Sequence, residues 1–410
     1  MDKDTKELIE KILHEIAEDI ISRFNKGELK NKIGLFSGKA GISLFMFYNG
    51  RYFENERYKE YAKHILEDVF NDINNDSLLP TYCNGLAGVG WAVNHLAENG
   101  FIEKESLEVL KDFDIYLYDS MIAYSRSGNF DFLHGATGIA FYFTQRFREN
   151  ENIAGYLNEY IEELKKHTIF DDENNSAKIE STVLDENEKS KKVYNLSLSH
   201  GMSSIIIILC RIAGISQDYK INCLSLIEKF TNYIIENKNT TRDNKLSFFP
   251  SYIEIDGSVK KERSRLAWCY GDIGNGFAFL NACKLIKDKA VYKDNYIEIF
   301  DSLSVRTDAK DQLINDSGIC HGSSGINVIS NVLSNIFQIE KYESLVDHWQ
   351  DVTLSYYSNK GNDLEGFSMR TKDGYEYELG ILNGTAGVGL SFLSNLDKIN
   401  LNWTDMLLIN

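Results

Sequence analysis

Three residues in the second half of the chain carry the donor atoms of a soft metal site: Cys269 and the adjacent pair Cys320 and His321. Thiolate and imidazole hold zinc well in tetrahedral geometry, and three protein donors leave a fourth position open for chemistry. A closed structural knuckle draws on CxxC pairs, and the chain has none. Taken singly, these residues read as ordinary buried cysteines with a histidine nearby; their place in a repeat raises the metal reading above that one. A histidine titrating near neutrality is the natural proton shuttle, and His200 is the candidate. Arg265, four residues before Cys269, is suited to stabilising a developing enolate; Asp131 is suited to orienting a histidine or a proton. Both residue types are more often solvated surface groups. His134 is an auxiliary candidate for proton transfer.

What groups these residues is a glycine turn that recurs seven times. It consists of a polar or Cys/His residue, Gly, two small or variable residues, often a second Gly, and an apolar run. The copies include CNGLAGVGWAVNHL from Cys83, CYGDIGNGFAFL from Cys269 and CHGSSGINVI from Cys320. Their first glycines are Gly38, Gly85, Gly135, Gly201, Gly271, Gly322 and Gly384, spaced 47 to 70 residues apart. The slot before the glycine holds His134, His200 and His321; the slot before that holds Cys83, Cys269 and Cys320. Parallel helices starting at these turns would bring both slots to one end. Cys83 shares the register, but its repeat is remote from the other two, so packing or pore lining is expected. Cys210, Cys223 and Cys283, and His14, His64, His95, His167 and His348, lie outside the register and are expected in packing or surface roles.

Each turn predicts a buried helix, and the charged stretches between turns (54–69 and 104–121 are examples) predict amphipathic ones. The expected fold class is all-α: a toroid, or double barrel, of seven inner and seven outer helices. Closure is favoured over an open solenoid because the terminal repeats are as apolar as the central ones. One domain, 1–410, is expected, with insertions at 171–195 and 245–260, the second carrying a β-hairpin turn at Asp256-Gly257.

The chain has 410 residues, 43% hydrophobic and 12% aromatic, enough for a large core. A net charge of -17 disfavours nucleic acid and anionic membrane surfaces. No transmembrane segment or secretion signal is expected, and six cysteines fit a reducing cytoplasm.

RLAWCYG from Arg265, CHG at Cys320, SHG at Ser199 and the seven turns resemble the lanthionine synthetase C-like family, whose best-known members are the cyclases of lantibiotic biosynthesis. The likeness runs over about residues 34–392, and Ser204 departs from it where most repeats have a second glycine. It implies a double α-barrel with zinc at one end, held by Cys269, Cys320 and His321. It also implies His200 as catalytic histidine, Asp131 as catalytic aspartate and Arg265 as active-site arginine, with Trp268 and Tyr270 shaping the pocket. The implied activity is addition of peptide cysteine thiols to dehydroalanine or dehydrobutyrine, forming thioether rings. The implied partners are a dehydrated precursor peptide, a separate dehydratase and a transporter. The implied place is the cytoplasm, peripheral to a membrane-associated biosynthetic complex. Addition of glutathione to a dehydroamino acid in a protein, and a non-catalytic zinc-binding scaffold, are the competing readings.

Overall fold

The computed structural model describes residues 1–410 apart from 30–31, 74–77, 148–149, 151, 185–188, 240–246, 259–264, 287–288 and 397–399. The helices, in chain order, are α1 (Lys3–Asn25), α2 (Lys39–Tyr52), α3 (Glu56–Ile73), α4 (Leu86–Glu98), α5 (Leu110–Arg126), α6 (Ala136–Arg146) and α7 (Ile153–His167). They continue with α8 (Met202–Ile215), α9 (Gln217–Glu236), α10 (Asp272–Leu285), α11 (Ala290–Ser302), α12 (Ser323–Phe337), α13 (Glu340–Asn359) and α14 (Thr385–Ser394). Every even-numbered helix starts directly after a motif glycine, which is its N-cap residue.

A helix start leaves backbone N–H groups without an intrahelical partner. Here no cap side chain supplies one; the loop before the glycine folds back and its carbonyls do. The first helical N–H donates seven residues back: Lys39 to Lys32 at 2.7 Å, Leu86 to Leu79 at 2.9 Å, Ser323 to Asp316 at 3.0 Å. This return brings backbone against the cap residue, so a Cβ on Gly85 would stand 2.1 Å from the Leu79 carbonyl oxygen. Close approach therefore selects glycine at this position. Gly271 alone among the seven has a positive φ, 103°. Ser204 fits the second-glycine slot fully buried, its Oγ donating to the Gly201 carbonyl at 2.8 Å.

The even-numbered helices are buried nearly all round; in α2 every residue from Lys39 to Gly50 is buried. The odd-numbered helices bury one face, as α3 does with Tyr58, Ala62, Ile65, Leu66 and Val69. The predicted helix over 104–121 divides into a 3-10 segment, Lys104–Val109, followed by α5.

The described chain forms two compact units. In the unit of Met1–Val109 and Thr307–Asn410, motif helices pack in the order α12, α14, α2, α4, so the first and last repeats are neighbours. Their turns are laced by backbone bonds: Cys320 N–H to Leu382 O at 2.9 Å, Ile381 N–H to Phe36 O at 2.7 Å, and Phe36 N–H to Cys83 O at 3.0 Å. A hairpin of Met369–Thr371 and Gly374–Glu376 was not foreseen, although Asp373-Gly374 has the composition of a turn.

In the unit of Leu110–Arg306, α8 packs between α6 and α10, and α7, α9 and α11 back the three. The expected insertions fold as strands β1 (Thr168–Asp171), β2 (Ser176–Ile179), β3 (Ser181–Leu184), β4 (Ser190–Asn195) and β5 (Tyr252–Glu254). β1 pairs with β2, and β3, β4 and β5 form one antiparallel sheet, so the two insertions are joined. The turn at Asp256-Gly257 is present, with Gly257 at φ 82°. Its strand β5 pairs with β4, and the ends of 245–260 lie outside the described residues.

Candidate functional site

His200 and Asp131 come from motif turns of consecutive repeats. Asp131 precedes α6; its Oδ1 accepts the His134 backbone N–H at 2.7 Å, which fixes the carboxylate. Its Oδ2 lies 2.6 Å from Nδ1 of His200. A carboxylate can only accept, so Nδ1 carries the proton and Nε2 is the free position of the neutral ring. Burial opposes charging this ring, but the hydrogen bond and charge of Asp131, with a smaller electrostatic contribution from Cys269, outweigh it. The His200 pKa is thereby raised above the ordinary histidine value. His134 stacks beside it, ring centroids 6.0 Å apart, and is shifted the other way. Burial and the neighbouring imidazole lower its pKa against the pull of Asp131.

A cavity of about 710 Å³ opens onto this pair. Asp131, His134, His200 and Tyr270 line one part of it, and residues 179–184 another. The Tyr270 ring sits 5.7 Å from that of His200. A second cavity of about 390 Å³ shares the wall of residues 179–182.

The turn holding Cys269 is tied to that of His200, because Ser199 Oγ donates to the Cys269 carbonyl at 2.9 Å. The ligand atoms of Cys269, Cys320 and His321 lie within 4.8 Å of one another. Tetrahedral zinc with bonds of 2.0–2.3 Å sets its donors roughly 3.3–3.8 Å apart, a spacing inside that limit, and two thiols with an imidazole are a donor set that suits it. Asp316, 1% exposed, faces the histidine of this group, its Oδ2 3.5 Å from His321 Nε2. Its Oδ1 accepts the Gly318 N–H at 3.0 Å and its Oδ2 the Arg370 N–H at 3.3 Å. Burial works against the charged form, and His321 with these donors outweighs it, holding the carboxyl below its ordinary value.

Against known proteins, the family model for lanthionine synthetase C-like protein matches residues 29–408. The chain belongs to the lanthionine synthetase C-like family. It is 23% identical over 393 residues to the nisin biosynthesis protein NisC of Lactococcus lactis subsp. lactis, covering 86% of this chain and 88% of that one. The solved nisin cyclase shares its fold, with a TM-score of 0.71 at 19% identity over 96% of each chain.

The remaining expected site residues have less around them. Arg265 is half-buried at the end of a stretch outside the described residues. Trp268 is 1% exposed, a packing residue, whereas Tyr270 lines the cavity. Cys83 is buried, its Sγ 3.4 Å from Asn84 Oδ1. Cys210 and Cys223 are core thiols whose burial pushes their pKa up, that of Cys223 to about 12. His95 stacks on Trp91 with centroids 4.7 Å apart, and burial brings its pKa down to about 4. Among the described residues, no helix is long and apolar enough to cross a membrane. Asp316 was not foreseen, and Ser199 entered only as part of the SHG motif, without its tie to the Cys269 turn. Asp316 could have been found from its place six residues before a motif glycine, where Asn129 and Asn195 also stand.

Proposed function

We propose that this family member is a zinc-dependent lanthionine cyclase that joins peptide cysteines to dehydroalanine or dehydrobutyrine within the same peptide. The observation that carries the reading is the mutual approach of Cys269, Cys320 and His321 in a chain of this family. Bound by these donors, zinc supplies a Lewis acid that lowers the pKa of a substrate thiol.

The chain's own residues account for the proton. Addition breaks the thiol S–H bond, releasing its proton to solvent, and forms an S–C bond at the β-carbon. It moves the alkene electron pair onto the α-carbon and its carbonyl, and requires one proton at the α-carbon, which the donor regains from solvent. His200 donates that proton, with Asp131 fixing its tautomer and favouring its charged form. Arg265 balances the developing enolate charge. Tyr270 and residues 179–184 border the space that receives the peptide, and the pair of cavities along residues 179–182 suits an extended chain. The net change is an addition, with no redox partner. The double barrel of seven inner and seven outer helices, as one domain, belongs to the same reading, supported by the fold likeness to nisin cyclase. So do a separate dehydratase, a transporter and a cytoplasmic location.

The test uses a synthetic peptide carrying one dehydroalanine and one cysteine, incubated with the zinc-loaded protein. Ring closure leaves the mass unchanged and removes one alkylatable thiol, which mass spectrometry after N-ethylmaleimide reads directly. Reaction only with added glutathione, or none above the uncatalysed rate, sinks the proposal. Metal analysis should find about one zinc per chain, with large loss in C269A.

A further inference from the structure

Asp316 occupies a repeat position with a recognisable local task. It stands six residues before Gly322, as Asn129 does before Gly135 and Asn195 before Gly201. In all three, Oδ1 accepts the N–H two residues on: that of Asp131 at 3.3 Å, of Ser197 at 3.0 Å and of Gly318 at 3.0 Å. An amide performs this Asx turn as well as a carboxylate does, so the turn does not call for charge at 316.

The difference lies in the second side-chain atom. In Asn129 it is a donor, Nδ2, directed to the His134 carbonyl at 3.2 Å. In Asn195, Nδ2 is buried with no partner among the described residues. In Asp316 it is an acceptor, Oδ2, facing Nε2 of His321 and receiving the Arg370 N–H. Of these three copies, the one with a carboxylate is the copy whose following histidine belongs to the Cys-Cys-His group; Glu378, the carboxylate at the same position before Gly384, is followed there by Asn383 and no histidine.

We propose that Asp316 is the positioning residue of the metal centre: its carboxylate accepts the Nε2 proton of His321 and so leaves Nδ1 unprotonated as the ligand atom. This rests on the reading that Cys269, Cys320 and His321 bind zinc. An imidazole can bind a metal only through its unprotonated nitrogen, and an acceptor behind the other nitrogen fixes which one that is. An asparagine at 316 has one oxygen for two tasks. If that oxygen keeps the Gly318 N–H, its NH₂ meets Nε2 and drives the ring proton to Nδ1, where it blocks the metal.

Zinc is titrated into metal-free protein against a competing chromogenic chelator, for the wild type and Asp316→Asn, with thermal unfolding of both metal-free forms as the control. The variant should melt like the wild type and bind zinc about 10- to 100-fold more weakly. A folded variant with unchanged affinity overturns this proposal and leaves the zinc reading standing. A wild type that takes up no zinc overturns both. Should the variant fail to fold, wild-type protein labelled with ¹⁵N-histidine decides. In the zinc-loaded form the His321 proton is expected on Nε2, and a proton on Nδ1 with Nε2 on the metal overturns the assignment.

Discussion

At His200 two effects of opposite sign act on one ring. Burial favours the neutral form, while the Asp131 carboxylate at 2.6 Å favours the charged form and prevails. A raised pKa keeps an acid protonated to higher pH, so activity that needs the His200 proton should fall on the alkaline side, above the ordinary histidine value near 6.5. Asp131→Asn removes the favourable charge and leaves the burial, so that alkaline limb should move to lower pH. His200→Ala should lose about 100-fold or more in cyclisation rate while retaining its zinc. A His200→Ala protein with normal rate and normal metal would refute the proton-donor role. His134 makes a poorer donor, since its shift is downward.

At the scale of the element, the seven turns owe their form to backbone returning on itself, and this separates two kinds of glycine. At Gly85 an added methyl meets the Leu79 carbonyl, whereas at Gly155, within α7, a Cβ has open space around it. Gly85→Ala should therefore cost about 1–3 kcal/mol, and Gly155→Ala should gain about 0.5–1 kcal/mol, both measurable by denaturant unfolding. The turns and their helices were legible in the sequence because glycine placement and apolar periodicity are local signals. The strands were less so. Residues 171–195 read as a polar surface insertion, yet Val193, Tyr194 and Asn195 are buried where β4 pairs with β5, nearly sixty residues away. Pairing of that kind leaves no local mark. The site followed the same division: the register grouped His200 with Cys269, Cys320 and His321, but the Asp131–His200 hydrogen bond spans 69 residues. Asp316 escaped notice because its local turn needs nothing that asparagine lacks.

At the scale of the whole molecule, no covalent cross-link holds the chain together among the described residues, and none of the six cysteines forms a disulfide. Stability therefore rests on helix packing, and any ligand of the native state adds to it by mass action. On the proposed function, zinc held by Cys269, Cys320 and His321 is such a ligand. At a free concentration 100 times its dissociation constant it should add about 2.7 kcal/mol, and a strong chelator should remove that increment. Calorimetry should show a melting temperature raised by zinc in the wild type and unmoved by zinc in Cys320→Ala. Cys83→Ala is the discriminating control. Cys83 is a buried thiol in the same register, with its Sγ against Asn84, so removing it should leave the zinc-induced rise intact. Loss of that rise in Cys83→Ala with retention in Cys320→Ala would move the metal to another part of the molecule. Both the proton-transfer scheme and the role of Asp316 would then lose their basis.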